Sequence, residues 1–109
     1  MSYFRDRYPE IRFPVAEANS LGFRNAQLGA IWAISSHFTL RDEPALVTMP
    51  TGSGKTAVLI LTAFMLRSVR TLVLTPNVLV RDQIAEEVKT LRTLLCLGSV
   101  QQDTPGPNV

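Results

Sequence analysis

The sequence predicts an α/β domain in which crossover helices cover a parallel sheet. Three observations carry that prediction. Two short apolar runs, residues 45–49 (ALVTM) and 70–75 (RTLVLT), lack the polar alternation of a half-exposed strand and read as strands covered on both faces. A segment of helical periodicity follows each of them. Another helical segment precedes the first run, so the order is helix, strand, loop, helix, strand, helix. That alternation builds parallel sheets with right-handed crossovers.

The elements are justified in chain order. Residues 1–21 are interrupted by Pro9 and Pro14 and carry scattered aromatics, Tyr3, Phe4, Tyr8 and Phe13. They read as an arm of extended or short elements packed on the surface, with an aromatic nucleic-acid platform as the other reading. In residues 24–38 (RNAQLGAIWAISSHF), Leu28, Ile31, Trp32, Ser35 and Phe38 recur at three-and-four spacing, which predicts an amphipathic helix. Pro44 closes the connection to the first strand, and PTGSG, residues 50–54, is a loop. Lys55 to about Ser68 reads as a helix apolar on nearly all sides. After the second strand, Thr75 can cap a third helix with Pro76 at its first position. Val80, Ile84, Val88, Leu91 and Leu95 form its stripe, and Gly98 stops it. The Pro- and Gly-rich residues 99–109 read as a loop or tail at which the domain of residues 22–98 breaks off.

Composition sets the outer bounds. The chain has 109 residues, the size of one domain, with 46% hydrophobic and 18% charged residues. A net charge of +2 permits a nucleic-acid partner without arguing for one. One cysteine, Cys96, excludes an internal disulfide and a multi-cysteine metal site, and His37 reads as a helix-end residue. The first residues, MSYFRDRYPEIRF, lack the apolar segment of a signal peptide. The longest apolar run, residues 57–66, is about half the length of a membrane span. The expectation is a cytoplasmic or nucleoid-associated protein with no membrane contact.

The loop carries the chemistry. A turn between strand and helix can aim successive backbone N–H groups inward and form a concave anion site. The helix that follows adds its unpaired N–H groups and positive dipole end. Gly52 and Gly54 allow unusual dihedrals and close approach to phosphate oxygens. Lys55 extends over the outer phosphates, and the Thr56 hydroxyl can ligate Mg²⁺. The spacing G-x4-G-K-[ST] asks for glycine at position 49, where this chain has Met49.

With that substitution, MPTGSGKT resembles the phosphate loop of superfamily 2 helicases and translocases, which commonly replace the first glycine. The chain looks like the amino-terminal part of their first RecA-like domain, and is most similar to the group with the type I and III restriction motor subunits and UvrB-like helicases. Upstream, FRNAQ resembles the family's aromatic-Arg-x-x-Gln segment. The resemblance implies that Gln27 pairs with the adenine edge, with Arg24 and Phe23 beside the base. It also implies that Pro50, Thr51, Gly52, Ser53, Gly54, Lys55 and Thr56 hold ATP, that Lys55 and Thr56 are catalytic, and that Thr56 holds the metal. Downstream, LVLTPNVLVRDQ resembles motif Ia through Pro76 and Gln83. There Thr75, Pro76 and Asn77 are the implied nucleic-acid contacts, Arg81 is a weaker one, and Val78 stands where relatives often carry arginine.

The function implied is the ATP-binding segment of a nucleic-acid-dependent ATPase, a DEAD/DEAH-type helicase or restriction-like translocase. Its cofactors are ATP and Mg²⁺, and its partners are DNA rather than RNA and the remainder of the helicase core. The family's Asp-Glu motif has no counterpart, since Asp42–Glu43 precede the loop and Glu86–Glu87 lie on a helix. The alternative is therefore a truncated or degenerate nucleotide-binding fragment without activity. A phosphate-loop kinase would not need the FRNAQ segment, and a GTPase would need a base-reading Asn-Lys-x-Asp, absent here.

Overall fold

The computed structural model describes residues 2–17, 21–50, 54–101 and 104–109. Its elements are α1 (Tyr3–Arg7), a 3-10 turn (Tyr8–Glu10), α2 (Asn25–Leu40), α3 (Lys55–Met65), α4 (Val78–Thr90) and α5 (Arg92–Leu97). The hub is α3, on which α1, α2, α4 and α5 all pack. Its sequence explains that position. A helix apolar around most of its circumference must be covered on several sides, and Ala57, Val58, Ile60, Leu61, Ala63 and Phe64 are all buried.

The helix ends follow local chemistry. At the end of α3, Arg67 N–H donates to Phe64 O and Ser68 N–H to Ala63 O, a Schellman closure with Arg67 in the left-handed position at φ 51°. Gly98 fills the same position after α5 at φ 78°, as the sequence predicts. In α2, by contrast, the expected stripe is only partly right. Ile31 is buried together with Ile34, whereas Trp32 and Phe38 stay substantially exposed.

The predicted parallel sheet is not formed. Among the described residues the chain is helical and contains no strand, so the α/β class is corrected to an all-helical packing. The backbone pairing present is an isolated parallel bridge between Val15 and Phe23. In the two runs read as buried strands, Leu46, Leu72 and Leu74 are 93%, 84% and 85% exposed. The physical reason is that strand propensity describes a residue that fits a sheet, not a residue that has found one. Two short parallel strands make a marginal pair by themselves. Here the runs also lie against different helices. Residues 46–50 share a 400 Å³ cleft with Ala26, Gly29, Ala30 and Ala33 of α2, and residues 69–73 with Thr75 share an 840 Å³ cleft with α3 and α4.

The third predicted helix is likewise two helices. Its N-cap is Asn77 rather than Thr75, with Asn77 Oδ1 accepting from Val80 N–H at 2.9 Å. The helix breaks at Leu91, which sits in the left-handed region at φ 55° and is fully buried. Left-handed backbone costs a leucine about 1–2 kcal/mol, and burying its side chain returns about 1.5–3 kcal/mol. The break is therefore tolerable, and the Glu87 carboxylate reinforces it. That carboxylate accepts from Thr93 Oγ1 at 2.6 Å, Thr93 N–H at 3.3 Å and Arg92 Nη2 at 3.2 Å, which caps the start of α5.

The amino-terminal arm consists of short elements on the surface, with its rings engaged by the protein. Phe4 packs edge-on against Phe64 at 4.9 Å and Tyr3 tilts against Phe64 at 5.8 Å. The Arg67 guanidinium lies 4.4 Å from the Tyr8 ring centre, and the Tyr3 hydroxyl donates to the Pro105 carbonyl. Phe13 meets Trp32 at 4.8 Å. These contacts leave little for an aromatic nucleic-acid platform. No helix among the described residues is long and apolar enough to cross a membrane.

Candidate functional site

The site is built where the N-termini of α2 and α3 meet. The last residue of the loop, Gly54, is the N-cap of α3 at φ 85°, ψ 42°. That left-handed conformation is open to glycine and strained for other residues. Packing adds a second requirement: a Cβ at Gly54 would lie 2.0 Å from Gln27 Nε2 and 3.1 Å from Arg24 Nη2. The sequence-predicted Arg24, Gln27 and Gly54 are therefore gathered at one point although 27 residues separate the last two.

Gln27 is only 3% exposed and its amide is engaged at both ends. Oε1 accepts from Arg24 N–H at 2.9 Å, and Nε2 donates to the Gly54 carbonyl at 3.2 Å. The first contact is half of a capping box, with Arg24 at the N-cap and Gln27 three residues on. The other half is chemically closed, because a guanidinium has no acceptor. Phe23 is fully buried between Pro14 and Ala16, donating its N–H to Pro14 O at 2.7 Å and accepting from Ala16 N–H at 3.0 Å. It supports α2 from the interior.

The start of α3 presents donors and positive charge. No side chain among the described residues caps its first turn, and that turn contains no acidic residue. Lys55, its first residue, is exposed, and Thr56 is half-buried. This donor set fits a polyanion: unpaired N–H groups, a positive helix end, an ammonium and a hydroxyl. No group of three or more His, Cys, Asp or Glu side chains among the described residues is placed to hold a metal. A magnesium ion here would depend on Thr56 and on ligand oxygens, the usual pattern for an ion carried with phosphates. Thr51, Gly52 and Ser53 lie outside the described residues. Pro50 and Met49 line the cleft along α2, and Met49 is half-buried against the core. A methionine at the position of the first glycine thus has a packing role that glycine could not fill.

The second predicted cluster also comes together. Thr75 Oγ1 donates to Asn77 O at 3.2 Å, and the Asn77 side chain caps α4, so both hydroxyl and amide serve the turn around Pro76. Arg81 is paired with Asp82 at 3.3 Å. The acidic pairs do other work. His37 Nε2 donates to the Glu43 backbone carbonyl at 2.7 Å, the Glu43 carboxylate lies 3.9 Å from Arg41, and Glu87 closes the α4–α5 junction. Thr93 contacts and the Arg92 guanidinium hold the Glu87 carboxyl below its ordinary value.

What sequence reasoning missed is the Gln27–Gly54 contact. Its only sequence signal is the cap-to-third-residue spacing of Arg24 and Gln27, which reports the contact within α2 and not the one across to α3.

Residues 20–95 match the family model described as type III restriction enzyme, res subunit. That span holds Arg24, Gln27, Gly54, Lys55, Thr56 and residues 75–77. No curated protein and no solved structure matches the chain.

Proposed function

The chain belongs to the family of type III restriction enzyme res subunits, a superfamily 2 helicase amino-terminal domain, and from that premise we propose that residues 24–56 bind the triphosphate of ATP for a nucleic-acid-dependent motor. The observation that carries the proposal is the start of α3: a left-handed Gly54, an uncapped first turn without acid, and Lys55 and Thr56 at its opening positions. An anion of several charges is the ligand that such an end favours.

Each residue has a role. Backbone N–H groups of the α3 first turn and of the loop hold phosphate oxygens. Lys55 reaches the outer phosphate and stabilises charge that grows there during transfer. Thr56 would hold magnesium, which offsets phosphate charge when bound. Arg24 stands beside Gly54, and the second N–H and lone pair of the Gln27 amide suit an adenine edge. Thr75, Pro76 and Asn77 form the α4 N-terminus, whose amides would meet a nucleic-acid phosphate. The family's restriction-enzyme description favours DNA. Turnover needs a carboxylate that orients water, and neither acidic pair is so placed, so binding without hydrolysis is the reading for these residues by themselves.

Titration calorimetry with magnesium ATP tests the proposal. Binding is expected, with at least about a tenfold loss on Lys55→Ala, the equivalent of about 1.4 kcal/mol. Absence of any uptake by the wild-type protein, or equal affinity in the variant, overturns it.

A further inference from the structure

We infer that Gln27 is a positioning residue for the start of α3, acting through the Gly54 carbonyl irrespective of the base that is bound. The amide is buried and spans two helix starts, taking the Arg24 N–H at 2.9 Å and giving a hydrogen bond to Gly54 O at 3.2 Å. It also occupies the space a side chain at Gly54 would need, with Nε2 2.0 Å from the missing Cβ. One planar group therefore sets the separation of the α2 and α3 N-termini and the direction of the Gly54 peptide, from which the α3 first turn begins. Two polar atoms on the amide do this, and neither bond uses its second N–H or second lone pair. Positioning and base contact are separable roles of one side chain.

The chemistry of the contact gives a selective test. Gln27→Ala removes acceptor and donor. Gln27→Glu keeps an acceptor for Arg24 N–H but, when ionised, has no donor for Gly54 O. Protonated, the same carboxyl regains an O–H and can donate again. Gln27→Met keeps length and apolar packing without either polar atom.

Amide hydrogen exchange of the nucleotide-free protein reads the contact directly. Protection of the amides at residues 58–61, the first in α3 with intrahelical partners, is expected to fall about fivefold in Gln27→Ala, in Gln27→Met and in Gln27→Glu at neutral pH, with α4 unchanged, since a lost hydrogen bond weakens local closure by about 1 kcal/mol. In Gln27→Glu it should return as pH falls below the carboxyl's pKa, which a loss of packing would not reproduce. Full protection in Gln27→Met, or no recovery of Gln27→Glu in acid, overturns the inference. The nucleotide arm rests on the function proposed above. There, Gln27→Ala should weaken magnesium GTP and inorganic tripolyphosphate as well as magnesium ATP, with the extra loss for ATP reporting the base contact, and a loss confined to ATP refutes base-independence. If the wild-type protein takes up none of the three, the proposed function fails, and the exchange result still decides the role of Gln27.

Discussion

Gly54→Ala tests the geometry of the site most severely. Alanine at φ 85° pays the left-handed penalty, about 1–2 kcal/mol. Its Cβ would also meet Gln27 Nε2 at 2.0 Å and Cδ at 2.8 Å, so the buried amide must leave its place. Leaving breaks the bonds to Arg24 N–H and Gly54 O, each worth about 0.5–1.5 kcal/mol net. The combined loss is about 3 kcal/mol, a large share of the roughly 5–15 kcal/mol that holds a domain folded. Urea unfolding followed by circular dichroism should show a midpoint lower by roughly 1–3 M, given slopes of about 1–3 kcal/mol per molar. The same substitution made in Gln27→Ala should cost only the backbone share, about 1–2 kcal/mol, because the clash and the bonds are already gone. A Gly54→Ala protein within about 0.5 kcal/mol of wild type would refute the reasoning.

Two further outcomes follow from the fold. Leu72→Lys, at a position 84% exposed, should change stability by less than about 0.5 kcal/mol; unfolding on that substitution, seen by the same urea titration, would mean that residues 70–75 are a covered strand after all. The Glu87 clasp sets an acid dependence. Its carboxyl is held below the ordinary value of 4.5, so its contribution is present above that value and is lost as pH falls through the lower folded one. Glu87→Gln should flatten the stability profile below about pH 4.5 and leave neutral pH to report only the lost hydrogen bonds; acid limbs that superimpose would exclude the clasp.

How much of this was readable in advance depends on where each interaction closes. The extent of α2, the start of α3 at Lys55, the stop at Gly98 and the family all follow from residues a few positions apart. Helix hydrogen bonds join residues four positions apart, and caps and Schellman closures extend only a little further, so the chain carries them locally. The arrangement in space does not follow from local pattern. Residues 45–49 and 70–75 have strand character yet no ladder, because a strand needs a partner distant in sequence. The stripe from Val80 to Leu95 gave no warning of the break at Leu91, where burial and the reach of Glu87 outweigh helical continuity. Phe23 went to the interior, and Gln27 joined two helix starts across 27 residues. The sequence by itself determined the extent of α2, the start of α3 and the family; tertiary packing decided which faces are covered and what holds Gly54 in place, because those free energies reside in contacts between segments that only folding brings together.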